Sequence, residues 1–365
     1  MITPFELHLA DDTITDLRDR LRRTRWPEPA TVPGWTQGVP LDYLRDYWAD
    51  GYNWRAFEAR IGALPQFRTT IDGLGLHFVH ARSANPDAVP LILTHGWPGS
   101  IVEFAEVVGP LTESFHVVCP SLPGYGFSDR PTGPGWTVER IARAWVVLMD
   151  RLGYPTFAAA GHDWGTSITT SMAQQDPDRL LGIHLLPPLV APDPATFDTL
   201  TDAERSARND LSAGESGDGY SHEMSTRPQT IGYALVDSPV ALAAWILEKF
   251  EAWTDGEPIS RDALIDNLML YWLPATGASA ARLYWESFAE VRDRFRVGTT
   301  DKITVPTGCS IFPRENPHPS RRWAEKRFKN IRYWNEPPRG GHFAAFEQPA
   351  LFVSEVQACF RALLS

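Results

Sequence analysis

Two kinds of hydrophobic pattern alternate along the chain. Residues 89–94 and 156–160 are short apolar runs with the length and composition of buried strands, and residues 303–311 and 330–334 form two further strand-like segments. Helical stretches lie between and after them: residues 13–23 near the start, 164–175 directly after the second run, and 350–364 at the end. This alternation predicts an α/β protein with a mostly parallel central sheet and helices on both faces.

The pattern changes character in two regions. After Pro188, residues 191–219 turn polar and rich in Pro, Gly and Asp, the composition of a boundary. Beyond it, Ser238-Pro239 reads as an N-cap and first-turn pair ahead of a long apolar helix over residues 240–253. Near the start, aromatic-rich connections lead to a hairpin-like pair around Asp72-Gly73-Leu74-Gly75. The predicted organisation is an N-terminal meander over residues 1–85, a first part of the core over 86–189, a helical lid insertion over 190–296, and a second part of the core over 297–365. No internal repeat interrupts it.

The junction between the second apolar run and its helix reads Gly161-His162-Asp163-Trp164-Gly165. A sharp strand-to-helix turn needs small residues on either side of its tip, and the two glycines supply them. The tip carries an acid where a hydrolase elbow more often carries serine. A carboxylate is ionised at neutral pH without help, and its attack on a saturated carbon leaves an ester that water can cleave, whereas serine would leave an ether. Strained or activated saturated carbons, as in epoxides and alkyl halides, are the substrates this favours. The competing role for Asp163 is a helix N-cap.

Partners for such a nucleophile follow in chain order. His342 lies in Arg339-Gly340-Gly341-His342-Phe343 after the strand-like residues 330–334, and Glu315 lies past the run 303–311. The order nucleophile, acid, histidine is that of the α/β-hydrolase fold. His342 would take a proton from water while Glu315 orients the imidazole. Asp301 borders the same strand at its opposite end; the carboxyl ends of strands, where catalytic groups gather in such sheets, favour Glu315. Ahead of the elbow, residues 89–94 run into His95-Gly96-Trp97-Pro98-Gly99-Ser100, a loop whose Trp97 amide, with that of Trp164, is placed to hold a developing oxyanion. An ordinary turn-rich connection is the competing reading of that loop.

These segments together resemble the microsomal-type epoxide hydrolases, a branch of the α/β-hydrolases that includes the juvenile-hormone epoxide hydrolases. The resemblance covers nearly the whole chain. It runs through Arg25-Trp26-Pro27, His95-Gly96-Trp97-Pro98-Gly99-Ser100, Gly124-Tyr125-Gly126-Phe127-Ser128, the elbow, Arg227-Pro228, Ser238-Pro239, Phe312-Pro313-Arg314-Glu315 and the stretch from Gly340 to Glu347. It implies that two lid tyrosines donate hydrogen bonds to the epoxide oxygen, at the positions of Tyr220 and Tyr284. Tyr233 and Tyr271 are rivals that spacing alone does not eliminate. The implied reaction opens an epoxide to a vicinal diol through an ester on Asp163, with water as co-substrate and no metal or organic cofactor. Haloalkane dehalogenases share the acid elbow and the histidine, but a departing halide needs no proton, so paired tyrosines speak against them. A catalytically silent ligand-binding hydrolase fold is a third possibility.

The net charge of −11 argues against nucleic acid as a partner. Cys119, Cys309 and Cys359 are odd in number and widely spaced, which suits a reducing compartment. Residues 1–25 are charged throughout and lack a signal-peptide core, and no stretch reaches the roughly 20 apolar residues of a membrane span. A cytoplasmic enzyme of detoxification, without a membrane anchor and with a homodimer as one option, is the expectation. Trp245, Trp253, Trp272 and Trp285 lie in or beside lid helices; with Phe343, they are candidates to line an apolar substrate pocket, against the competing role of core packing.

Overall fold

The computed structural model describes the chain except residues 46–47, 49–50, 214–217, 257–258, 297–300 and 316–317. Nine strands form one sheet: β1 (Thr3–Pro4), β2 (Gln66–Ile71), β3 (Leu74–Ala81), β4 (Val89–Thr94), β5 (Phe115–Pro120), β6 (Phe157–His162), β7 (Leu180–Leu186), β8 (Thr307–Ser310) and β9 (Ile331–Asn335). Their spatial order is β1-β2-β3-β5-β4-β6-β7-β8-β9. From β5 to β9 every neighbouring pair is parallel, while β1, β2 and β3 add antiparallel strands at one side. The fold is that of the α/β-hydrolases, with the mostly parallel sheet that the runs of apolar residues predict.

Helices cover both faces because β6 and β7 direct alternate residues to opposite sides. Ala158 and Gly182 are register partners, and a methyl group added at Gly182 would meet Leu363 of the C-terminal helix Pro349–Leu364. Three positions along β6, one added at Gly161 would meet Gly165 and Thr169 of the helix Trp164–Gln175 instead. That second helix packs beside Val138–Arg151, whose buried face includes Ile141, Ala142, Trp145, Leu148 and Met149.

The segment before residue 85 does two things. Its hairpin turns at Asp72 and Gly73, both at positive φ, and the hairpin's second strand pairs with β5, so it is built into the sheet. Its first helix, Asp11–Arg22, packs against the lid helix Pro239–Trp253. β8 is shorter than the strand-like segment 303–311, beginning at Thr307, since Pro306 has no N–H to give to a ladder. Ile303 instead makes an isolated bridge to Phe328.

Between β7 and β8 the chain leaves the sheet to form the lid. Its helices include Asp202–Ala213, Gly219–Thr226, Pro228–Asp237, Pro239–Trp253, Arg261–Trp272 and Gly277–Arg296. Pro228 and Pro239 stand in the first turns of their helices, and the Ser238 hydroxyl accepts the Ala241 N–H at 3.1 Å. Among the described residues no single helix is long and apolar enough to cross a membrane.

Gly165→Ala tests the tightest approach, because an added Cβ would collide with the Thr94 carbonyl, backbone against backbone. Its loss of stability in urea unfolding is expected to exceed that of Ser238→Ala, which removes one cap and costs about 1 kcal/mol. Equal midpoints for the two variants would contradict this packing.

Candidate active site

Asp163 follows the last residue of β6 and starts the helix Trp164–Gln175 with φ 53° and ψ −126°, a backbone conformation side-chain-bearing residues seldom hold. The surrounding chain fixes it there. β6 and the helix come so close at Gly161 and Gly165 that neither position tolerates a Cβ, and a Cβ at Gly96 would overlap the Asp163 side chain. Asp163 makes no side-chain capping bond to its helix. Its carboxylate turns the other way, with Oδ1 accepting the Trp97 N–H at 2.8 Å and Oδ2 lying 3.5 Å from Nε2 of His342.

The histidine is held from several sides. Nδ1 of His342 lies 2.8 Å from Oε1 of Glu315, and its backbone N–H donates to the Trp253 carbonyl at 3.0 Å. Glu347, at the end of the same glycine-rich segment, accepts the N–H groups of Gly341 and Phe343 at 3.1 Å each, and that of Asp255 at 2.7 Å. Glu315 belongs to the turn after β8, at the carboxyl end of the strand, where its amide donates to the Phe312 carbonyl. Asp301 at the other end pairs with Arg327 at 2.9 Å, away from His342.

Burial and charge pull these groups in opposite directions. Burial disfavours the Asp163 carboxylate, but the His342 hydrogen bond and charge, with the amides of Trp164 and Trp97, outweigh it and hold the pKa below its ordinary value. Burial likewise opposes charge on His342; the neighbouring carboxylates of Glu315 and Asp163 prevail and push its pKa well above normal. In the resting protein the imidazole is therefore a cation clamped between two anions.

The indoles of Trp97 and Trp164 pack against the two lid tyrosines. Tyr220 stacks on Trp97 with ring centroids 5.0 Å apart and 9° between planes, and Tyr284 meets Trp164 edge-on at 4.8 Å. The two tyrosine rings lie 5.9 Å apart; Tyr284 is buried and Tyr220 partly so, and desolvation raises both pKa values and keeps the hydroxyls protonated. The rivals stand elsewhere. Tyr233 is 71% exposed, and the Tyr271 hydroxyl is spent on the Gly99 carbonyl at 2.6 Å.

The tryptophans divide. Trp253 packs against His342 at 5.0 Å, Tyr220 at 5.5 Å and Trp97 at 6.4 Å, making it a wall of the site. Phe343 backs the histidine within a stack on Phe250 at 4.0 Å. Trp245, partly buried, lies one turn before Lys249, with its indole N–H enclosed. Trp285 does not line the site: its helix buries the face carrying Tyr284 and Val291, and one residue onward the ring points to solvent, 54% exposed. Trp272 sits beneath the Arg20 guanidinium at 5.8 Å, facing the N-terminal helix.

Three contributors carried no sequence signal of their own. Asn267 donates to the Pro98 carbonyl at 2.8 Å and accepts from the Ser100 hydroxyl at 2.7 Å, so with Tyr271 one lid helix grips the loop from His95 to Ser100. Behind the elbow, buried Glu103 lies 3.0 Å from His162. Lys249 is buried among the aromatic rings. Among the described residues no group of three or more His, Cys, Asp or Glu side chains is arranged to hold a metal ion.

Comparison with known proteins agrees with this geometry. The model of the epoxide hydrolase N terminus matches residues 2–104, and that of the alpha/beta hydrolase fold matches residues 89–220. A Stigmatella aurantiaca protein provisionally named an epoxide hydrolase is 49% identical, over 99% of this chain and 85% of its own. Epoxide hydrolase 1 of Sus scrofa is 34% identical, over 98% of this chain and 88% of its own. Two solved structures superpose with a TM-score of 0.90: juvenile hormone epoxide hydrolase of the silkworm Bombyx mori, 30% identical over 100% of this chain and 96% of that one, and the Aspergillus niger epoxide hydrolase, 31% identical over 100% and 97%. With an acid at its elbow, a histidine and glutamate beside it, two tyrosines packed on the indoles of Trp97 and Trp164, and relatives along its full length, the chain belongs to the microsomal-type epoxide hydrolases of the α/β-hydrolase superfamily.

Proposed function

We propose that the protein hydrolyses small apolar epoxides to vicinal diols through a covalent ester on Asp163. The observation that carries the mechanism is the division of labour between the two carboxylate oxygens. Oδ1 rests on the Trp97 amide, while Oδ2 faces the histidine. In the first stage Oδ2 bonds to a ring carbon, the C–O bond of the epoxide breaks, and its electrons pass to oxygen, which the phenols of Tyr220 and Tyr284 face as donors. Oδ1 becomes the ester carbonyl oxygen, already lying against the amide that supports an oxyanion.

The second stage needs a base, and the first stage produces one. Esterification removes the charge of Asp163, one of the two anions raising the His342 pKa. The imidazole then gives up its proton more readily, to the phenolate that ring opening leaves, and can take one from water as that water attacks the ester carbonyl, with Glu315 stabilising the imidazolium formed. The imidazolium protonates the departing alkoxide, and Asp163 is left as a carboxylic acid with one oxygen from water, whose proton passes to His342 and restores the starting ion pair. No step calls for a metal or organic cofactor. The aromatic walls formed by Trp97, Tyr220, Trp253 and Tyr284 suit an apolar substrate with an aryl or alkyl substituent.

Single-turnover reaction of styrene oxide in oxygen-18 water is expected to place label in Asp163, the first diol taking its second oxygen from the protein; label appearing at once in the diol would contradict the ester. His342→Gln should retain ester formation and slow its breakdown by about 10²–10⁴-fold, so that mass spectrometry finds Asp163 alkylated. Glu315→Gln removes an anion that raises the His342 pKa, so the midpoint of the pH profile for ester breakdown should move to lower pH while its plateau falls. A midpoint unmoved or shifted upward would remove Glu315 from this role.

A further inference from the structure

The two tyrosines facing Asp163 are not equivalent. Lys249, on the lid helix Pro239–Trp253, is 4% exposed, and its ammonium lies 4.5 Å from the ring centroid of Tyr220 and 5.9 Å from that of Trp253. Among the described residues no cation stands over Tyr284, whose ring neighbours are Trp97, Trp164, Tyr220 and Phe288. A buried ammonium is costly unless something repays it. Its carboxylate partner, Glu248 at 2.9 Å, is 39% exposed, so water screens the anion more than the cation.

From this asymmetry we infer that Lys249 makes Tyr220 the proton donor of ring opening, leaving Tyr284 as a hydrogen-bonding partner that keeps its proton. The inference rests on the ester mechanism above and adds a positioning residue to it. When Asp163 bonds to carbon and the ring C–O bond breaks, the Tyr220 proton passes to the epoxide oxygen and the phenolate charge spreads into a ring lying beside the ammonium. The cation meets a neutral quadrupole before transfer and a full negative charge after it, so its attraction grows along the reaction coordinate. Tyr284 gains nothing comparable. The proton balance closes within the cycle: the proton that His342 gives up after esterification restores the Tyr220 phenol, and the carboxylic acid that hydrolysis leaves on Asp163 returns one proton to His342.

Rapid-quench measurement with styrene oxide and the full-length enzyme separates ester formation from ester breakdown. Lys249→Met is expected to slow ester formation roughly 30-fold and to leave breakdown within about threefold, while Lys249→Arg stays within about threefold in both. The same Lys249→Met change should have no further effect in Tyr220→Phe and its full effect in Tyr284→Phe. Should Lys249→Met fail to fold, Glu248→Gln gives the complementary reading: ester formation as fast or faster supports the inference, and slower overturns it. Equal penalties in the two tyrosine backgrounds, or equal slowing of both stages, also overturn it. If no protein in the series forms an ester, the ester mechanism itself fails; if the ester forms without Lys249–Tyr220 coupling, only the donor assignment does.

Discussion

The site depends on a close approach of three backbone segments. β4 and its loop, the end of β6 and the start of the following helix meet where Gly96, Gly161 and Gly165 leave no room for side chains. Asp163 projects from that knot in a conformation that costs of the order of 1–3 kcal/mol and persists because its surroundings allow no other. Its position is consequently set by covalent geometry and sheet register and does not depend on the pliable packing of a surface loop. The Trp97 amide, brought alongside by the parallel pairing of β4 with β6, reaches the carboxylate without any adjustment of its own.

Electrostatics completes what the backbone begins. A largely enclosed carboxylate and imidazole would each be unfavourable alone, and together with Glu315 they form a triad in which every charge has an opposite neighbour. Neutralising one member redistributes the proton affinities of the others. In the proposed reaction the substrate does this itself, because forming the ester erases the central anion and leaves the histidine with one carboxylate in place of two. The chemistry thereby sets the order of its own steps, and a base appears only after there is an ester to hydrolyse.

Much of this was legible in the sequence because its determinants are local. The elbow is written in five consecutive residues, and the helix Trp164–Gln175 and the strand Val89–Thr94 fall where their apolar patterns place them. Glu315 could be favoured over Asp301 because topology assigns the two to opposite ends of a strand. The lid was less readable. Tyr220 and Tyr284 are separated from Asp163 by long stretches of chain, and nothing in their spacing distinguishes them from Tyr271, whose hydroxyl the structure commits to Gly99. Trp285 failed as a wall for a rotational reason: adjacent residues on a helix point about 100° apart, and Tyr284 occupies the inward direction. Lys249 and Asn267 were invisible for the opposite reason, since polar residues in an apolar helix acquire meaning only from what lies across the interface.

The grip of Asn267 and Tyr271 on the Pro98 and Gly99 carbonyls joins the lid to the sheet at the one corner where amide directions matter. Lid and core are thus not modules that can be exchanged freely. A chimaera that grafts a foreign cap onto this sheet, chosen to admit a different substrate, inherits a loop after β4 with two unanchored carbonyls unless the graft brings its own amide and phenol to the same places. Broadening the substrate range by cap exchange therefore has a fixed boundary, and the helix Arg261–Trp272 belongs on the side of the sheet.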